Sequence, residues 1–506
     1  MNPVEPAEPW STAWPAAVAL VGLLVGLVKV RRALWPPRAW LAPALGFTLL
    51  ALAVRFLWLP ALTEHAFDGH EADYLDLFLG GRTPSRGGTV LYPAMQWLYW
   101  GLGRVLSGPG WLLAVAGAAS LVSIAAAAGL TQQLFGGRAA AWTAALLALY
   151  GTHAFWSSSA YNVMIPLALT LVSLAALVAA GRGGGWGMSL LSGSAAALAV
   201  ATRLESLVAG LPALLFVLWR PPRPLRVHLP LLLGGAALAA AAVVPLVVPG
   251  GLPGEGEASF MWPVNVGLLG YLAPWAGPWL PLLVIMALLG PPGPDHRLRA
   301  RAIPRIPVGI LLAWAVAVHG TMATFDDLEY RHLLPAGVAL ALVAGAVLGA
   351  LRRGPAALLG ATLLVLLALD TARLARLYYA PEERFAAALP ADLPRIEARA
   401  RPPCTLVSED ARVAQEPQLS HFNLLDPEEA ERLRAAGGGC LQWCPDVQDW
   451  RWSSRGVRAR ALRLLHLYPA RAVAVLTEEE SGYRCLLVSL GERRSALEAW
   501  GSGVGW

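Results

Sequence analysis

The sequence predicts an α-helical polytopic membrane protein of about 12 transmembrane helices, ending in a small mixed α/β domain outside the membrane. Three observations carry this. Apolar residues fill 56% of the 506 positions and charged residues only 14%, against about 45–50% and about 25% in an ordinary soluble domain. Apolar segments recur from Trp14 to about Leu377 and then give way to a different texture. Basic residues cluster in alternate loops between those segments. The composition excludes disorder, fibres and a typical cytosolic enzyme. The formal charge of +6 is read as membrane topology, so no nucleic-acid partner is expected.

Apolar runs place spans at 14–28, 41–62, 111–130, 139–157, 160–180, 188–202, 205–219, 228–248, 266–290, 307–324, 333–351 and 355–377. Several are shorter than the roughly 20 residues a span prefers. Charge sets their orientation. Lys29, Arg31, Arg32 and Arg38 follow the first span, whose leading segment holds Glu5 and Glu8 and no base. That is the reverse of a signal peptide, so the N-terminus is expected outside. Alternation then puts Arg138, Arg182, the arginines of 220–226 and of 297–305, and Arg352 with Arg353 inside. The acids Asp68, Glu71, Asp73 and Asp76, then Glu255 and Glu257, then Asp326, Asp327 and Glu329 fall outside. Both flanks of 188–219 are basic, so this stretch must cross twice and turn near Arg203.

Three regions follow: a loose tail over 1–13, a transmembrane domain over 14–379 with an outer loop at 63–110, and an extracytoplasmic domain over 380–506. The last has Pro-rich turns, charged helical stretches and β-like runs at 404–407, 472–476 and 485–488. It also holds all four cysteines, Cys404, Cys440, Cys444 and Cys485. In an oxidising compartment an even count implies two disulfides, in any of three pairings. Zinc is the weaker reading, because Cys440 and Cys444 have no matching partner pair.

Four constellations could carry chemistry. A helix starting after Asp68 would align Tyr74, Leu75, Phe78 and Leu79 in one apolar stripe. Glu71 falls in its middle, with Asp73 and Asp76 opposite. A carboxylate on an apolar face tends to a raised pKa and suits a general base. The same Asp68-x-x-Glu71 spacing is also a capping box. Thr202-Arg203-Leu204-Glu205 puts an arginine at an outer turn, either to anchor an anionic headgroup or to close the hairpin through Glu205. Arg331 and His332 open an apolar helix with Pro335 in its first turn, an arrangement suited to phosphate. A snorkelling arginine is the plainer alternative there. Ser157-Ser158-Ser159-Ala160-Tyr161-Asn162 is a polar break that either lines a cavity or merely turns. Of 21 tryptophans, Trp58, Trp97, Trp100, Trp111, Trp156, Trp262, Trp275 and Trp279 read as an aromatic belt.

In this order the Gly69-His70-Glu71-Ala72 loop, the Ser159-Ala160-Tyr161-Asn162 break, the Thr202–Glu205 turn and Tyr330-Arg331-His332-Leu333-Leu334-Pro335 resemble the GT-C superfamily of polytopic glycosyltransferases. Its branches of dolichyl-phosphate-mannose–protein mannosyltransferases and bacterial aminoarabinose transferases are the most similar. The resemblance covers roughly 40–380. It implies a bacterial inner-membrane enzyme that moves a sugar from a polyprenyl-phosphate donor to an envelope glycan, lipid or protein acceptor on the outer face, with inversion. It further implies Glu71 as base and Arg203, Arg331 and His332 at the donor phosphate, with Asp73, Tyr161, Asn162 and Glu205 lining the substrate cavity. His70 stands where the family has Asp, and Asp68 is the substitute acid if the loop bends differently. No cofactor is required on this reading and no metal cluster is visible, so arginine neutralises the phosphate. The alternatives are a multi-pass transporter or flippase for a lipid-linked or envelope substrate, and a non-catalytic scaffold. Transporters favour internal repeats and midplane charges, whereas here the charges gather at the outer mouths.

Overall fold

In a computed structural model of the chain, the described residues are 21, 24–25, 70–81, 93–108, 110–157, 163–220, 303–322, 330–369, 371, 405–407, 421–422, 439–443, 470–477 and 484–490. The spans expected at 41–62, 228–248 and 266–290, and most of 14–28, lie outside them, and so does the full count of spans. Two compact units divide the chain. The first holds 1–251, 276–318 and 334–371, and the second holds 252–275, 319–333 and 372–506.

The first unit is helical. Its elements are α1 (His70–Leu79), α2 (Pro93–Gly103), α3 (Gly110–Phe135), α4 (Gly137–Leu149), α5 (Gly151–Trp156), α6 (Met164–Gly181), α7 (Trp186–Thr202), a 3-10 turn over Leu204–Ala209, and α8 (Gly210–Trp219). Later come α9 (Arg305–Met322) and α10 (Tyr330–Ala350), which belong to it up to Val318 and from Leu334, and α11 (Arg353–Leu369). Among the described residues three helices are long and apolar enough to cross a membrane: α3, α6 and Leu333–Ala350 of α10. The hydrophobic runs are Ala- and Leu-rich, which favours helix, and a helix pairs its backbone groups within itself, as an apolar setting requires.

The helices run antiparallel in a legible order. The Ser173 hydroxyl of α6 donates to the Ser192 carbonyl of α7 at 2.9 Å. Small residues make this approach possible: Ala176 and Ala180 pack against Met188 and Leu191. At the far end of the α7–α8 hairpin, a methyl group on Gly181 would lie 2.5 Å from the Arg220 carbonyl oxygen. The chain from Trp186 to Trp219 therefore goes out and returns, reversing at Arg203. Arg138 donates from Nη2 to the Leu351 carbonyl at 3.1 Å, capping the last turn of α10 with a cation. Arg138, Arg182, Arg220, Arg352 and Arg353 thus share one end of the bundle, the end the charge pattern expects inside. There, burial first and the neighbouring Arg220 second hold the Arg182 guanidinium below its ordinary pKa.

The span expected over 139–157 is not one helix. It breaks at Tyr150, whose ψ of 109° is extended, and resumes as α5. At the break the Leu149 carbonyl accepts a 2.7 Å hydrogen bond from the Thr371 hydroxyl. Trp156 departs from the belt reading too, being 2% exposed.

Helix α10 crosses α4 at very short range. A methyl group on Gly349 would come 2.7 Å from the Ala139 nitrogen, and one on Gly345 would overlap Thr143. Gly349→Leu should therefore destabilise the bundle by about 1–3 kcal/mol, as overpacking does. A thermal melt in detergent reads this out as a lowered midpoint. Gly354→Ala, where nothing lies within 4 Å, should leave it almost unchanged.

The second unit contains a five-stranded mixed sheet, β1 (Thr405–Val407), β2 (His421–Phe422), β3 (Gly439–Trp443), β4 (Ala470–Thr477) and β5 (Arg484–Leu490), in the order β2-β1-β3-β5-β4. Strand β1 is parallel to β2 and β3, whereas β5 is antiparallel to β3 and β4. The three β-like runs of the sequence fall in β1, β4 and β5. The central strand β3 was not among them.

Candidate functional site

Helix α1 carries Glu71 in its first turn. It ends in a glycine cap: Gly80 (φ +82°) donates to Leu77 and Gly81 to Asp76, at 3.2 and 3.0 Å. Its buried face is Tyr74, Leu77 and Phe78, at 1%, 0% and 3% exposure. This corrects the expected stripe: Leu79 is 65% exposed, because it sits at the cap where the helix ends, and Leu77 takes its place. Asp76 lies on the exposed side, as the wheel expects. Positions 70 and 71 stand one turn before Tyr74 and Leu75 on the same helix.

The buried face of α1 docks on Met95 and Tyr99 of α2 and on Leu112 and Leu113, which open α3; Ile165, in the first turn of α6, packs at the edge. The Tyr74 and Tyr99 rings lie 5.1 Å apart and tilted by 53°. Helix α1 is thereby fixed to the end of the bundle where α3 and α6 begin. Because α6 and α7 are antiparallel, that is also the end where α7 stops, at Arg203. Helix α2 packs against both α1 and α7, and so links the helix bearing Glu71 to the helix ending at Arg203.

Arg203 is buried at 7% exposure. Its backbone is extended (φ −165°, ψ 119°), and its N–H closes α7 on Ala199 and Val200. Its Nε lies 3.2 Å from Glu205 Oε1, in a pair whose side chains are only 9% and 20% exposed. The hairpin-closing role of this pair is therefore present, and a buried guanidinium is held at the end of α7. Thr202 beside it donates to Ala199 at 2.8 Å.

The other expected site residues divide as follows. His70, Asp73, Arg331 and His332 are helical, with side chains outside the described ones. Arg331 and His332 open α10 in the second unit. Asp68, Tyr161 and Asn162 lie outside the described residues. Cys440 is in β3 and Cys485 in β5, while Cys404 and Cys444 fall just outside the described strands. No cluster of three or more metal-ligating side chains occurs among the described residues.

Two polar groups escaped the sequence reading. Gln96, 3% exposed, lies on α2, the helix shared by α1 and α7; the signal was one amide within the apolar run of that helix. His153, 0% exposed, lies on α5, with Nε2 2.7 Å from the Ser123 hydroxyl of α3. That hydroxyl donates its one proton to the Ser120 carbonyl at 2.7 Å, so the imidazole is the donor and carries hydrogen on Nε2. An ionisable residue within a span was the signal here. At the far end of α2, Arg104 stacks over Trp100 at 4.8 Å from the ring centre, and Trp97 meets Trp100 edge-on at 5.4 Å.

No family model matches the chain, and no curated protein matches it. Among solved structures it is similar to the crystal structure of ArnT from Cupriavidus metallidurans bound to undecaprenyl phosphate. Identity is 15%, with 88% of this chain and 98% of that chain covered, and the TM-score is 0.44.

Proposed function

We propose that the protein is an inverting glycosyltransferase that uses a polyprenyl-phosphate-linked sugar on the outer face of a bacterial inner membrane. One observation carries the reading: α1, which bears Glu71, docks through α2 at the same bundle end where Arg203 is buried. A carboxylate helix and a buried guanidinium at one mouth are what displacement at an anomeric carbon needs. The acceptor hydroxyl attacks that carbon and gives its proton to Glu71, while the bond from the carbon to the phosphate oxygen breaks on the opposite side. The departing polyprenyl phosphate gains negative charge, which Arg203 stabilises. The apolar helices offer the prenyl chain a lipid-like surface, and the sheet-bearing second unit is assigned to the extracytoplasmic side.

The interrupted helix α4–α5 favours transport, because transporters build midplane sites from such breaks. Here the break is closed by protein groups, Thr371 on the Leu149 carbonyl and Ser123 on His153, which fits a static kink better than a gate. The test compares cells with and without the gene. Loss of the gene should remove one envelope glycan modification and raise the pool of its polyprenyl-phosphate sugar. Unchanged glycans with an unchanged donor pool would overturn the enzyme reading, and an unchanged glycan type displaced to the inner face would favour transport.

A further inference from the structure

Helices α6 and α8 bring two arginines together at the end of the bundle that the charge pattern expects inside. Arg182 caps the C-terminus of α6, and Arg220 caps that of α8. The two segments touch there: a methyl group on Gly181 would lie 2.5 Å from the Arg220 carbonyl oxygen. The Arg220 guanidinium stacks over Trp219, 4.5 Å from the ring centre. Among the described residues neither side chain makes an ion pair or a hydrogen bond. The flanking sequence supplies no acid either. Glu205 is the only Asp or Glu between Asp76 and Glu255, and it pairs with Arg203 at the opposite end of α7.

Two like charges without a counter-charge are unfavourable. This crowding is what holds Arg182 below its ordinary pKa, through burial first and Arg220 second. Arginine stays charged all the same. Helix dipoles do not neutralise the pair. The C-termini of α6 and α8 and the N-terminus of α7 meet at this end, and together they amount to about half a negative charge. Leading to the same place, Leu207, Leu211, Leu214 and Leu218 of the 3-10 turn and α8 recur every three or four residues and are 40–71% exposed. From Leu207 to Leu218 they run about 17 Å, close to one leaflet of a hydrocarbon core about 30 Å thick.

We propose that Arg182 and Arg220 bind the phosphate of an anionic glycerophospholipid in the inner leaflet, with its acyl chain along the leucines of α8. The phosphate takes charge-assisted hydrogen bonds from both guanidiniums. A free phosphate would meet the same cations but leave the leucines bare, so a lipid is the occupant that fits both halves of the site. A zwitterionic lipid carries an ammonium of its own, which would add a third cation to the two already there. Basic surfaces between helices on the cytoplasmic side are general receivers of anionic headgroups. The leaflet rests on the orientation read from the charges. The site is independent of the glycosyl-transfer reading, whose Arg203 lies at the other end of α7.

The test is native mass spectrometry of the full chain, delipidated in detergent and offered dioleoylphosphatidylglycerol, dioleoylphosphatidylethanolamine or inorganic phosphate in turn. One phosphatidylglycerol should bind in preference to phosphatidylethanolamine and raise the thermal midpoint. Arg182→Gln/Arg220→Gln should weaken phosphatidylglycerol binding about 30-fold. Without lipid this variant should melt no lower than the wild-type chain, because it removes a like-charge pair; a lower midpoint would mean that the arginines already have a partner within the chain, and would overturn the site. Arg182→Lys/Arg220→Lys keeps both charges and should keep the lipid preference. Arg352→Gln/Arg353→Gln removes an exposed pair at the same end and should leave binding unchanged. Equal binding of the two lipids, unchanged affinity in the glutamine variant, or loss of preference in the lysine variant would each overturn the proposal. An equal loss in the Arg352/Arg353 variant would reduce the site to the general basic charge of this end and overturn it too, as would inorganic phosphate that competes with the lipid.

Discussion

Glu71→Gln should lower glycosyl transfer by about 10²–10⁴-fold, the usual contribution of a positioned general base. The amide keeps the volume and helix propensity of the side chain and removes only its ability to take a proton. The fall should appear in kcat, with donor KM little changed, when transfer from a polyprenyl-phosphate sugar is followed in membranes. The sequence also spaces Asp68 and Glu71 as a capping box, and in that role the substitution would carry a structural cost. That cost is bounded: losing a cap is worth about 0.5–2 kcal/mol, and glutamine itself serves in such boxes. A thermal melt therefore separates the two roles. A lowered midpoint with a normal rate would reduce Glu71 to a cap. Asp68→Asn is the companion variant. If it abolishes transfer while Glu71→Gln does not, the base is Asp68, two residues before the helix.

The charge pattern and hydropathy made much of the helical layout legible. Met164–Gly181 and Trp186–Thr202 start within a few residues of the apolar runs, and the reversal at Arg203 follows from basic flanks on both sides of a stretch too long to stay within the bilayer. The break at Tyr150 was not legible, because Tyr150-Gly151-Thr152 barely lowers local hydropathy and the group that caps Leu149 is 222 residues away. The α1 stripe was read one residue out at its end: periodicity gave Leu79 a helical place, but the Gly80–Gly81 cap ends the helix there. Strand β3 is short and starts inside a glycine run, so nothing local marks Gly439–Trp443 as the strand between β1 and β5. The candidate site shows the same division. Residue types named Glu71 and Arg203 separately. What sets their helices at one bundle end is the docking of Tyr74, Leu77 and Phe78 on α2, a tertiary contact with no sequence period. Gln96 went unnoticed for the same reason, since its interest lies in the two helices its own helix touches.

Arg203 offers the sharper separation of structure from function. Arg203→Ala should abolish transfer and also destabilise the protein, because Glu205 would be left as a largely buried carboxylate without its 3.2 Å partner. Breaking one side of a buried pair costs about 3–5 kcal/mol. The single variant is therefore ambiguous. Removing both charges with an apolar pair of similar size is often neutral or stabilising, so Arg203→Leu/Glu205→Leu should recover the thermal midpoint of the wild-type chain. It should not recover transfer, because no cation then remains at the end of α7 to meet the leaving phosphate. Arg203→Lys should fall between, keeping the charge but losing the planar fork that binds phosphate through two hydrogen bonds; its defect should show as a raised donor KM. If the double-leucine variant regains both stability and transfer, Arg203 only closes the α7–α8 hairpin, and the phosphate must be held elsewhere.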